Sequence, residues 1–480
     1  MPKLLLINIA GLSTGLINNH PDSTTYVSKT LPRTGTFCPL VPSFPAVTTT
    51  VQTSLTTGVT PSEHGIVGNG FYDHEFMKVR FWEQSDRLCR TPRIWDILKS
   101  TNPNLKTAIL FWQNSIGSNN DLILTPAPIH QHHGGMIQDC YSQPANLYPD
   151  LKKRLGQFNL KWYWGPFTSL KSSIWIARAT EEVLKQYAPD LVLTYLPHLD
   201  YNQQRWGPSD SRMKSELKSI DDLVGSLSET ALKIGYEVMV VSDYAMTDVK
   251  QTVMINQVLR KNGFLKVRRV KHYEYLDVAA SRAFAVVDHQ IAHIYIGTGD
   301  QGRMVSNRFD VAETFRSPNT ILSDLKKLLE RIPGIEKVLD PNEQKEWGIN
   351  HPRSGELIAV ARSDAWFAYP WWFEAANAPD YARHVDIHNK PGYDPLELFW
   401  DWRHLGISTN TGKIKGSHGR TLAPGHQPPA TFPLSRPFHE KEQDLSLKTN
   451  NPIFSSTWPV KLKGTYLKDT DVLQIIKESL

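Results

Sequence analysis

"FPAVTTTVQTSLTTGVTPSEHGIVGNGFYD", residues 44–73, is unusually rich in threonine. Six threonines, Thr48, Thr49, Thr50, Thr53, Thr56 and Thr57, run up to a His-Gly turn at His64. Their hydroxyls neither fill a core well nor carry charge. Serine and threonine favour the first turn of a helix, where a hydroxyl can satisfy an unpaired backbone N–H. A run this long asks for more than a cap.

Outward from it, short apolar runs alternate with longer amphipathic ones. "LLLINI" (4–9), "KTAILFW" (106–112), "DLVLTYL" (190–196), "YEVMVVSDY" (236–244), "AHIYIG" (292–297) and "GELIAVA" (355–361) each suit a strand buried on both faces. "SSIWIARATEEVLKQY" and "SELKSIDDLVGSLSETALKIG" carry helical spacing, and Gly235 is placed to cap the second. Strands alternating with helices predict an α/β fold with a mainly parallel sheet covered on both faces. Ligands then bind where the carboxyl ends of the strands emerge.

Residues 1–250 and 351–480 are expected to form this core. The more charged segment 251–350 reads as an insert or peripheral subdomain that contributes a core strand. The Pro-rich stretch from about residue 424 to 465 reads as irregular, and "DTDVLQIIKESL" as a closing helix. A formal charge of +5 over 480 residues, without a long Lys/Arg block, favours small anionic ligands over a nucleic-acid polymer. Three scattered cysteines, Cys38, Cys89 and Cys140, form no disulfide framework or zinc knuckle and suit a reducing compartment. The first apolar run is too short for a signal core or a membrane span, so a cytoplasmic protein without a spanning helix is expected.

Four segments fall at strand ends: Ala10-Gly11, "PHLDYNQQRWGP" with Asp200 and Gln204, "SDYAMTD" with Asp243 and Tyr244, and "KGSHGRTLAPGH" with His418. In this order, and together with "FPAVT…TTGVTPSEHGIVGNGFYD", they resemble the type I phosphodiesterase/nucleotide pyrophosphatase family of the alkaline phosphatase superfamily. The resemblance covers most of residues 1–250 and 355–425 and the final helix. It implies an alkaline-phosphatase-like fold and two divalent metals, commonly zinc, about 4 Å apart. It also implies a threonine that attacks phosphorus to form a phosphothreonine. Carried over by motif position, Thr48 is that nucleophile, Asp200 and His418 are ligands of one metal, and Asp243 belongs to the other with Thr48. Tyr72 and Trp206 are placed by the same analogy in the leaving-group pocket.

The chain departs from the pattern at four positions. Ala10 stands for the family's first aspartate, Gln204 and Tyr244 for two histidines, and Val51 for an asparagine that steadies the phosphate. A glutamine oxygen can bind a hard cation, a phenolate can do so occasionally, and alanine cannot. An oxygen-rich remnant suits magnesium or manganese better than zinc, so one or two of zinc, manganese or magnesium are expected. Asp288 and His289 are candidate replacement ligands, as are Asp386, His388 and His198, while His64 reads as a turn residue and "HQHH" (130–133) as a solvated loop. The expected activity is metal-dependent hydrolysis of a phosphodiester or pyrophosphate bond in a small phosphorylated molecule. Two alternatives stay open: a catalytically impaired relative that binds without turnover, and a one-metal hydrolase of another ester.

Overall fold

A computed structural model describes residues 2–132, 136–297, 318–421, 450–462 and 464–480. In chain order its main strands are β1 (Lys3–Ile9), β2 (Thr36–Val41), β3 (Thr107–Leu110), β4 (Leu122–Pro126), β5 (Cys140–Gln143), β6 (Leu191–Leu196) and β7 (Tyr236–Val241). There follow β8 (Ala283–Asp288), β9 (Ile291–Ile296), β10 (Ile335–Leu339), β11 (Leu357–Ala361), β12 (Ile453–Ser456) and β13 (Leu467–Lys468).

Nine of them form one sheet in the order β13-β2-β12-β7-β1-β6-β3-β4-β5. Its centre, β7-β1-β6-β3-β4, is parallel throughout, while β12 and β5 run antiparallel to their neighbours. Successive residues of β1 serve opposite faces, as strand geometry requires. Leu5, Ile7 and Ile9 pack in the core that holds Trp175, Ile176, Leu217 and Val224, from helices α2 (Leu170–Tyr187) and α4 (Met213–Lys233). Leu4 and Leu6 pack in the other core, with Val51 and Leu55 of α1 (Thr48–Thr57) and Ile475 and Ile476 of the closing helix α5 (Val472–Ser479). Between α2 and α4 lies α3 (His198–Trp206).

A second, four-stranded sheet, β8-β9-β11-β10, is antiparallel and has its own core around Phe284, Tyr295 and Trp371. The runs at residues 292–297 and 355–361, read above among the buried core strands, pair with each other here and leave the parallel sheet. Six-residue strands buried on both faces look the same in either setting, and only the tight β8–β9 hairpin separates them. Of the Pro-rich stretch read as irregular, the part up to residue 449 lies outside the described residues, while Ile453–Ser456 within it forms β12, hydrogen-bonded between β7 and β2. Among the described residues no helix is long and apolar enough to cross a membrane.

Candidate active site

The carboxyl ends of β1, β6 and β7 deliver Ala10, Asp200 and Asp243-Tyr244 to one place. Gly11 turns the chain away from β1 at φ +69°, where a Cβ would come within 2.6 Å of the Gln203 amide nitrogen. From the other sheet the β8–β9 turn brings Asp288 and His289, the latter held at φ +60°, a backbone strain that persists where the surroundings over-determine it. Thr48, Asp200, Tyr244, His289, Tyr393 and His418 line one cavity of about 840 Å³. Its outer walls carry Trp82, Tyr163, Trp164, Tyr201 and Trp400, with Lys78 and Lys161 also lining it.

The six threonines now separate into two groups. Thr49 donates to Gly68 O at 2.8 Å and Thr50 to Ile66 O at 3.1 Å, tying α1 to the His-Gly turn. Thr53, Thr56 and Thr57 donate back to carbonyls one turn earlier, at 2.7, 2.9 and 2.8 Å. Thr48 is the first residue of the helix, is 4% exposed and faces the cavity, and its hydroxyl has no hydrogen-bond partner among the described residues. Five hydroxyls build the helix and its turn. One is left over.

Two histidines share the cavity with it. His418 Nδ1 donates to Ala46 O at 2.8 Å, and a carbonyl can only accept, so the proton sits on Nδ1. His289 Nδ1 is 2.8 Å from Asp288 Oδ1, the arrangement of an oriented imidazole. Asp288 is held in turn by the backbone N–H of Asn69 at 2.8 Å and its side-chain amide at 3.1 Å, while Asn69 Oδ1 accepts from Thr49 N at 3.1 Å. Burial keeps both imidazoles neutral, well below their ordinary range. Each therefore presents an unprotonated Nε2.

Asp200 is engaged on both oxygens: Tyr244 Oη donates to Oδ1 at 2.9 Å and Gln204 Nε2 to Oδ2 at 2.7 Å. Gln204 Oε1 accepts from Tyr393 Oη at 2.9 Å. Burial raises Asp200 to about 6, against the pull of these donors. Ala10 offers no ligand atom, and no group of three His, Cys, Asp or Glu side chains among the described residues is arranged to hold a metal. The donor set, filled by N–H and O–H groups, does not fit the two cations that the resemblance implied.

Asp243 is fully buried outside the cavity lining, with Oδ1 near Gly11 N at 3.4 Å and Tyr244 N at 3.1 Å, and Oδ2 near Asn8 Nδ2 at 3.4 Å. Burial pushes it up to about 8, which favours the protonated acid near neutral pH. The buried Asn8 Oδ1 otherwise lacks a partner, and a flipped Asn8 amide would accept the acid's proton. A raised carboxyl contributes stability that is present below its ordinary value and lost as pH rises toward the folded one. Asp243→Asn removes this dependence. Its melting temperature relative to wild type should climb between pH 4 and pH 8, and a flat difference across that range would refute the neutral acid.

The remaining candidates scatter. Tyr72 is outside the cavity, 2% exposed against Phe284 and Tyr295, because alternate residues of its strand Gly70–Asp73 turn into the second sheet's core. Trp206 also lies outside the cavity lining: Asp200 and Gln204, four apart, share one face of α3, while the Trp206 ring sits under the Arg212 guanidinium at 4.3 Å. His198 contacts Glu216 at 2.6 Å, away from the cavity. Asp386 and His388 line the cavity, with His388 Nδ1 on Phe81 O at 3.2 Å. His130 and His132 are exposed, and His133 is outside the described residues. His64 receives Ile66 N and meets the Ser54 hydroxyl, holding the turn. Tyr393 and Asn8 carry no local motif, and Asn69, although it lies in the quoted "HGIVGN" stretch, was not singled out as a site residue.

Residues 4–394 match the family described as type I phosphodiesterase / nucleotide pyrophosphatase, and the chain belongs to that family. It is 28% identical over 336 residues to ectonucleotide pyrophosphatase/phosphodiesterase 1 of Saccharomyces cerevisiae, covering 67% of this chain and 40% of that protein. It is 24% identical over 269 residues to the bis(5'-adenosyl)-triphosphatase ENPP4 of Pongo abelii, covering 53% of this chain and 50% of that one. The chain thus spans half or less of the length of these relatives. Among solved structures, phosphonoacetate hydrolase of Sinorhizobium meliloti 1021 superposes with a TM-score of 0.59 at 13% identity, covering 100% of this chain and 96% of that one. The fold is the alkaline-phosphatase-like one.

Proposed function

We propose that this family member is a hydrolase of phosphodiester or pyrophosphate bonds in a nucleotide-sized small molecule, with Thr48 as nucleophile and His289, oriented by Asp288, as its base. The observation that carries the reading is the unpaired Thr48 hydroxyl, at the start of α1, in a cavity shared with an Nδ1-anchored histidine. Nucleophile, base and orienting acceptor are the recurring parts of an activated hydroxyl.

His289 Nε2 takes the Thr48 proton as Oγ attacks phosphorus in line. The leaving oxygen departs and takes that proton from the imidazolium. Water then attacks the phosphothreonine, giving its proton to His289, which returns it to Thr48 Oγ as the P–O bond breaks. Charge developing on the phosphoryl oxygens meets the amino end of α1, where backbone N–H groups and the helix dipole favour anions. Lys78 and Lys161 add positive potential along the cavity. Each step is carried by the chain's own residues.

A cavity of about 840 Å³ is large enough for a nucleotide. Its tryptophans and tyrosines suit the face of a base, in keeping with the relatives' names. Cys38, Cys89 and Cys140 are all free thiols, which suits the reducing, cytoplasmic setting proposed with this activity.

The test is turnover of bis(p-nitrophenyl) phosphate, of p-nitrophenyl thymidine monophosphate and of diadenosine triphosphate by wild type and His289→Gln. The variant should lose about 10²–10³ in kcat with a smaller change in KM, as for a lost general base. Equal kcat for the two proteins would remove His289 from the mechanism. No turnover of any of the three by wild type would overturn the activity.

A further inference from the structure

Four rings form one stack across the cavity floor. Tyr244 and His418 lie face to face, centroids 3.5 Å apart and planes 2° apart. His418 and His289 follow at 3.8 Å and 37°, and His289 and Tyr393 at 3.7 Å and 23°. The two outer phenols are joined at their hydroxyl ends, since Tyr244 Oη donates to Asp200 Oδ1, Gln204 Nε2 to Asp200 Oδ2, and Tyr393 Oη to Gln204 Oε1. Stack and bridge close on each other.

We propose that this closed Tyr244–His418–His289–Tyr393 assembly, bridged by Asp200 and Gln204, takes the place of the family's metal pair, so that the chain keeps the pocket but admits no divalent cation there.

A divalent cation needs several lone pairs converging on one point. Here His418 Nε2 and Asp200 Oδ1 are 3.9 Å apart, but the phenol proton of Tyr244 already occupies that carboxylate oxygen. Gln204 turns its NH₂, a donor that repels cations, toward Asp200 and commits its oxygen to Tyr393. Ala10 removes the carboxylate that a second cation would need, and Asp243 below it is engaged by Asn8, Gly11 and the Tyr244 N–H. The exchanges at positions 204 and 244 also fit one another. Each supplies a donor to a different oxygen of the same carboxylate, so with either histidine in place the other oxygen would still be capped. This inference shares a site with the proposed hydrolysis but does not rest on it.

The full chain, incubated with Zn²⁺, Mn²⁺ or Mg²⁺ and desalted, is analysed by elemental mass spectrometry beside Ala10→Asp/Gln204→His/Tyr244→His. Wild type should retain no more metal than an unrelated control protein. The triple variant should retain at least one equivalent of zinc and, loaded with Co²⁺, show visible ligand-field bands. Stoichiometric metal in wild type that is lost in Asp200→Ala would overturn the proposal. So would a triple variant that takes no metal while its circular dichroism and melting temperature match wild type. If the triple variant does not fold, Gln204→His/Tyr244→Phe poses the same question at one site, since it removes the donors from both Asp200 oxygens and sets that carboxylate beside two imidazoles; Co²⁺ bands support the proposal and their absence in a folded variant overturns it. Turnover is read separately: a metal-free wild type that hydrolyses nothing refutes the proposed function alone, and a metal-loaded one refutes this inference alone.

Discussion

Thr48→Ala should lower kcat/KM by at least about 10⁴-fold, the scale on which removing a covalent nucleophile acts, and leave the melting temperature within a degree or two of wild type. The asymmetry follows from the hydrogen bonds. Thr48 Oγ has no partner among the described residues, so truncation orphans no donor or acceptor. Thr49→Ala is the opposite case. It breaks bonds to Gly68 O and Asn69 Oδ1, costs about 1 kcal/mol, and affects turnover only through the position of Asn69 beneath Asp288. Parallel kinetics and thermal melts of both variants separate a chemical role from a structural one. Thr48→Ser, which keeps the oxygen, should retain measurable turnover and still be labelled on that residue when the reaction is quenched early. A Thr48→Ala enzyme within tenfold of wild type would end the nucleophile assignment.

The largest stability effect is expected at Lys390. Its side chain is 1% exposed, and Nζ lies 2.7 Å from both Asp394 Oδ2 and Glu397 Oε1. Burial opposes its charge, but the two carboxylates outweigh that and hold it above the ordinary lysine range. Glu397 is fully buried and also accepts from Trp164 Nε1 at 2.6 Å and Asp386 N at 2.9 Å. The cluster thus joins the loop at residues 386–397, which carries Tyr393, to the Trp164 wall of the cavity. Lys390→Met leaves two carboxylates buried without their cation and should cost about 3–5 kcal/mol in urea unfolding. Lys390→Met/Asp394→Leu/Glu397→Met, which removes the charges together, should recover much of that loss. A single variant less than about 1 kcal/mol down would show that the cluster is relaxed by water or protonation.

The strand ends were legible because they are local. A buried run followed at once by a polar residue places that residue at the sheet's carboxyl edge, whatever the rest of the chain does. Asp200, Asp243 and His418 were placed at strand ends in this way and Thr48 by the family resemblance; Thr48, Asp200 and His418 line one cavity, and Asp243 is buried outside its lining. The exchanges at Ala10, Gln204 and Tyr244 were equally visible as missing ligands. What they do instead was not. Tyr244 reaches Asp200 across 44 residues, and Gln204 meets Tyr393 across 189.

Contiguous residues, or a period of two or 3.6, carry the parallel core, the family, the helix that begins at Thr48 and the absence of three residues that the resemblance makes metal ligands. Which hydroxyl is spare, where the β8–β9 turn carries His289, and that two tyrosines enclose two histidines near Asp200 emerge only on folding. Those are relations between side chains from four or more segments. No periodicity encodes them, since they arise only when both sheets have packed and every buried donor has found its acceptor.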